Sequence, residues 1–62
     1  MKITMKYEKE TQGTVVYREV DSQGQFVQQN RDGNLPVIYF QKTSEVGRDK
    51  PKTLVAEFTY TK

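Results

Sequence analysis

The chain has no cysteine and no histidine. The first absence excludes disulfides and thiolate metal sites. The second removes the commonest neutral metal ligand and the commonest general base. No apolar run approaches the roughly 18 residues of a membrane-spanning helix. The opening MKITMKYEKE lacks a continuous apolar segment, so no secretory signal is expected. There is no internal repeat, no low-complexity stretch and no amphipathic helical pattern. Together these absences lead us to expect no metal, no cofactor and no membrane association, and the lack of cysteine is compatible with a reducing, cytoplasmic setting. Apolar residues are also scarce, at 34%, against 29% charged. That balance would suggest disorder if the apolar residues were dispersed. They are clustered and periodic instead.

Sixty-two residues form one domain, 1–62. A chain of this size buries only about 60% of its unfolded surface. Small domains add disulfides, a metal or a partner subunit, and here only the partner is left. The net charge is +2, from ten basic and eight acidic residues, with a pI near 9.0. So small an excess does not by itself imply a nucleic acid or an anionic membrane.

Residues 2–9 alternate, with Ile3, Met5 and Tyr7 on one face and Lys2, Thr4, Lys6 and Glu8 on the other, the pattern of a half-buried strand. A turn follows, in which Gly13 is free to take a positive φ. Residues 14–20 are β-branched and aromatic, hence a second strand, paired to the first as a hairpin. Residues 21–34 hold two turn clusters, Asp21-Ser22-Gln23-Gly24 and Asn30-Arg31-Asp32-Gly33-Asn34. Between them, 25–29 is a candidate short strand with Phe26 or Val27 toward the core. Thr43 or Ser44 caps a single helical turn that Gly47 is expected to end. Residues 53–60 alternate again, with Leu54, Ala56, Phe58 and Tyr60 opposite Val55, Glu57 and Thr59.

The run LPVIYFQK at 35–42 is the most apolar. Val37 and Tyr39 point one way from a strand, Ile38 and Phe40 the other. With both faces apolar, it reads as an interior strand covered on both sides. Pro36, which lacks an N–H, belongs at its start or at an edge. The fold class is therefore all-β: one small twisted antiparallel sheet of four to five strands, curled into a small barrel or completed by dimerisation. The expected core is Ile3, Met5, Tyr7, Val15, Tyr17, Ile38, Phe40, Leu54, Ala56 and Phe58. Val37 and Tyr39 then lie on the second face, covered by Phe26 and Val27 or by a second chain. Val37, Tyr39, Phe26 and Val27 are thus the expected interface.

Catalysis has little support. The carboxylates fall on solvent faces or in turns, no calcium-loop spacing is present, and no serine or threonine has a histidine to activate it. The protein is expected to be a binding module and not an enzyme, acting as a homodimer or on another protein. The alternative is single-stranded nucleic acid, contacted through Lys6, Arg18, Lys42, Arg48, Lys50 and Lys52, with tyrosines as stacking platforms. Strand alternation weighs against it, because Tyr7 opposes Lys6 and Tyr17 opposes Arg18.

The stretch Tyr7-Glu8-Lys9-Glu10-Thr11-Gln12-Gly13-Thr14-Val15-Val16-Tyr17, followed by Val37-Ile38-Tyr39-Phe40-Gln41-Lys42-Thr43, resembles a family of short bacterial and phage all-β proteins. In that family a YEKET-type hairpin precedes an IYF-QK segment and a closing strand. The resemblance implies an intracellular accessory role and carries over no functional residue.

Overall fold

The structure, a computed structural model, describes residues 1–28 and 37–61. The chain is all-β: strands β1 (Lys2–Glu10), β2 (Thr14–Glu19), β3 (Ile38–Gln41) and β4 (Thr53–Glu57), with one short helix, α1 (Glu45–Asp49). The strands form one antiparallel sheet in the order β3-β2-β1-β4, curled into a half-barrel. Leu35, Pro36, the turn cluster at 30–34 and Gln29 at the end of the candidate fifth strand lie outside the described residues.

Alternation in β1 and β4 puts Ile3, Met5, Tyr7, Leu54 and Ala56 inside the curl. Ile3, Met5, Val15 and Tyr17 are buried, and Tyr7, Ile38, Phe40, Val46 and Leu54 pack against them. Tyr17 is the largest buried side chain. Its ring meets Tyr7 and Phe40 edge to face, with centroids 6.1 Å and 5.6 Å apart. Its hydroxyl donates to the carbonyl oxygen of Pro51 at 2.7 Å. Phe58, expected in this core, is 37% exposed, because β4 ends at Glu57 before reaching it.

The strand buried on both faces is β2, and the expectation that residues 35–42 supply the interior strand is overturned. Val15 and Tyr17 face the core, while Val16 and Val20, on the opposite face, are also buried. β2 is interior because both of its edges are occupied. β1 runs along one. On the other, β3 pairs with the Thr14 to Tyr17 half, and Phe26 bridges to Val20 beyond it. The candidate fifth strand is thus reduced, among the described residues, to this single bridge. β3 itself is an edge strand of four residues. Its inner residues Ile38 and Phe40 reach the core, while Tyr39 lies beside Val16 and stays 59% exposed.

Turn chemistry corrects two expectations about glycine. The β1–β2 connection needs no left-handed residue at Gly13; the Thr11 N–H donates to the Thr14 carbonyl at 2.9 Å and the Thr14 N–H to Thr11 Oγ1 at 3.1 Å. Gly24 is the left-handed glycine, with φ 80°, in a turn where Asp21 Oδ1 accepts from the Gln23 and Gln25 N–H groups. Gly47 does not end α1. It sits inside the helix, capped by Ser44, and Lys50 ends the helix with φ 49° and ψ 54°. Gly47 is buried because the helix lies directly on β3. A Cβ there would overlap the Gln41 carbonyl and crowd Lys42 Cα.

Gly47→Ala weighs two effects against each other. Helix propensity favours alanine by up to about 1 kcal/mol, whereas forcing a methyl group into backbone costs roughly 1–3 kcal/mol or more. We expect net destabilisation, read as a lower urea midpoint with an unchanged slope. A raised midpoint would show that α1 is not held against β3.

Candidate interaction surface

Two groups of polar side chains lie on opposite faces of the sheet, and a bulge in β1 creates them. Pairing with β2 shifts register between Tyr7 and Lys9. Tyr7 pairs with Tyr17 and Glu10 with Val15, so both turn to the inner face although they are three positions apart, an offset that would put them on opposite faces of a regular strand. Glu8 and Lys9 are left on the outer face.

At the inner rim, Glu10 Oε2 accepts from the Tyr7 hydroxyl at 2.8 Å, and Glu10 Oε1 lies 3.2 Å from Lys50 Nζ and 3.4 Å from Lys42 Nζ. The Tyr7 hydroxyl, then Lys50 and Lys42, hold the Glu10 carboxyl below its ordinary range. The same hydrogen bond holds the Tyr7 hydroxyl above its own ordinary value. Burial, and after it the Glu10 charge, raises Tyr17.

On the outer face, Arg18 Nη2 pairs with Glu8 Oε2 at 2.8 Å, and its guanidinium lies 5.5 Å from the centroid of the Phe26 ring. Lys6 sits beside Arg18 in register, its Nζ 3.5 Å from the Gly24 carbonyl. Tyr39, Val16 and Lys9 form one row across the sheet. Thr4 and Val55 lie side by side on the same face. Three large apolar side chains of this face stand open to solvent: Phe26 at 44%, Tyr39 at 59% and Val55 at 62%.

The expected interface residues are not assembled as a lid. Phe26 and Val27 run along β2 in line with β3, not over it; the Val27 N–H donates to the Glu19 carbonyl at 3.2 Å. Val27 and Val37 are half-buried, and Tyr39 is uncovered. The reason is topological: a segment that pairs on the free edge of β2 cannot also stack on its neighbour's face. The six basic residues separate as well. Lys6 and Arg18 share the outer face, Lys42 and Lys50 converge on Glu10, Arg48 lies exposed on α1, and Lys52 is exposed before β4.

Val55 was expected on the face opposite the core but not among the interface residues. Its signal was an apolar side chain on the otherwise polar face of residues 53–60. Glu8 and Glu10 carried no signal, since the bulge that assigns them to opposite faces depends on pairing.

A group whose pKa is lowered on folding stabilises above its unfolded value and loses that contribution as pH falls through the folded one. Glu10 therefore contributes at neutral pH and loses its contribution as pH drops below its ordinary 4.5. Glu10→Gln removes the charge and keeps an acceptor for Tyr7. The difference in urea midpoint between wild type and this variant is expected to be present near neutrality and to shrink in acid. A difference that is constant with pH would show that the ion pairs contribute nothing. Tyr7 and Tyr17, both raised, lose their contribution as pH climbs beyond the ordinary 10.0, so stability also falls in alkali.

Among the described residues no group of three or more acidic, histidine or cysteine side chains is placed to hold a metal ion, and no helix is long and apolar enough to cross a membrane. Comparison of the chain with protein-family models, with curated proteins and with solved structures finds no match, so any functional reading rests on the geometry above.

Proposed function

We propose that the protein is a non-catalytic binding module that acts through protein–protein contacts on the outer face of its sheet, with a second copy or a host protein as partner. This is the accessory role that its resemblance to short bacterial and phage proteins implies. The observation that carries the reading is the surplus of apolar side chains on that face. The core beneath closes without them: Met5, Val15 and Tyr17 are fully buried by the chain's own residues. Phe26, Tyr39 and Val55 remain exposed on that face. Aromatic side chains left open to solvent are enriched at contact surfaces. Arg18, already held by Glu8 and stacked near Phe26, is a pre-organised polar neighbour for such a contact.

A photoreactive phenylalanine analogue placed at Tyr39 tests this. Irradiation should yield a covalent adduct, with a second copy or with one discrete protein, and the same probe at the turn residue Gln12 should yield none. Equal labelling at both positions would remove the basis for an outer-face site.

One observation favours a second reading, single-stranded nucleic acid. Alternation separated the bases from Tyr7 and Tyr17, yet the outer face brings Lys6 and Arg18 onto the same side as Phe26 and Tyr39. Stacking on such rings is worth about 1–3 kcal/mol per base. Affinity for a labelled oligonucleotide should then fall with salt, by a logarithmic slope of roughly 0.7 for each phosphate neutralised, and Lys6→Glu should lower it further. Absence of any retention at low salt would exclude the reading.

A further inference from the structure

We infer that the free edge of β4 pairs antiparallel with β4 of a second copy, about a twofold axis at Val55, joining two four-stranded sheets into one. This names one partner for the protein-contact reading and rests on it.

The two edges of the sheet differ. Hydrogen bonding of the Lys42 N–H to the Gly13 carbonyl at 3.1 Å sets the phase of the β2–β3 ladder, so Tyr39 and Gln41 direct their backbone groups outward. That edge is already occupied by the chain. The Gln41 carbonyl accepts from the Ser44 N–H at 2.9 Å and from Ser44 Oγ at 2.6 Å, and Gly47 lies against it. Strand β3 is short and carries the helix on its open side.

Among the described residues the β4 edge has no such guard. The Tyr7 N–H donates to the Lys52 carbonyl and the Phe58 N–H to the Met1 carbonyl, which fixes Lys52, Leu54, Ala56 and Phe58 as the residues bonded to β1. Thr53, Val55 and Glu57 therefore turn their N–H and C=O groups away from the sheet. Among the described residues nothing pairs with them. Within β4 there is no proline, no lysine and no bulge, the devices that usually blunt an edge. Glu57 is the one charge.

This edge is complementary to itself. Residues 53, 55 and 57 are spaced evenly about Val55. A twofold axis there places Val55 opposite Val55 and Thr53 opposite Glu57, each pair exchanging two backbone hydrogen bonds. No like charges meet. On the outer face the exposed Val55 side chains come together. On the inner face Leu54, only half-buried in one chain, meets Ala56 of the other, which is also half-buried. The second copy thus covers half-buried apolar residues on this side of the core.

The chain contains no cysteine, so one introduced thiol reports only intermolecular contact. The paired Val55 positions would lie about 5.5 Å apart between Cα atoms, within the span of roughly 4.4–6.8 Å that a disulfide requires. The wild type is expected to have a dimer mass by light scattering at micromolar concentration. Under mild oxidation Val55→Cys should form a disulfide dimer at least about tenfold faster than Tyr39→Cys. Thr53→Glu sets carboxylates opposite Glu57 across the axis and should raise the dimer dissociation constant roughly three- to thirtyfold. Its new carboxylate lies beside Lys6 within the chain, so folding is preserved. Adding Glu57→Lys should restore the affinity. A monomer mass with no crosslinking at Val55 overturns the inference. A dimer that crosslinks at Tyr39 and not at Val55 also overturns it, while leaving the outer-face reading standing.

Discussion

The bond between the Tyr17 hydroxyl and the Pro51 carbonyl joins the second strand of the sheet to the loop that leads into the fourth, with β1 lying between them. Strands two places apart in a flat sheet lie roughly 10 Å apart. A single side chain closes that gap only if the sheet bends around it. Tyr17 is thus both the largest body in the core and the tie that sets its curvature. Edge-to-face packing with Tyr7 and Phe40 adds about 0.5–1.5 kcal/mol for each aromatic pair beyond the area buried. In so short a chain these few contacts are a large share of the margin between folded and unfolded.

Curling without closure leaves two edges. The chain deals with one of them locally, since the segment after β3 turns back at Ser44 and sets α1 on the Gln41 carbonyl. The close approach depends on Gly47, and this explains a glycine in the middle of a helical turn better than any signal to stop. No equivalent segment covers β4 among the described residues. The same short length that limits the core therefore leaves an open edge and a partly open core side at the same place.

The bulge in β1 distributes charge. Glu8 serves the outer face through Arg18, and Glu10 gathers Tyr7, Lys42 and Lys50 at the inner rim. Pairs this exposed contribute little to stability, because solvent screens them. Their structural effect exceeds their energy, because Lys42 follows β3 and Lys50 ends α1, and both converge on β1. Lys42 and Lys50 are drawn to the inner rim, whereas Lys6, Lys9 and Arg18 stay on the outer face.

Local patterns in the sequence were enough to establish four strands, the antiparallel hairpin of β1 and β2, a helical turn capped at Thr43 or Ser44 and most of the core from Ile3 to Leu54. These are local properties: side chains two apart share a face, and a serine before a helical turn caps it. What alternation cannot carry is pairing. Residues 37–40 are apolar on both faces, as an interior strand would be, yet β3 lies at an edge and β2 in the middle. Phe26 and Val27 were legible as apolar and not as an extension of the β2 edge. Tyr39 and Val55 were legible as residues opposite the core and not as members of one outer face, at its two opposite edges. The register shift at Glu8 reverses the facing of every residue after it in β1, and no property of Glu8 announces it. By itself the sequence determined which residues share a side of each strand. The tertiary structure alone decided which strand is central, which edge is covered and which is open, because those depend on hydrogen bonds between segments far apart in the chain.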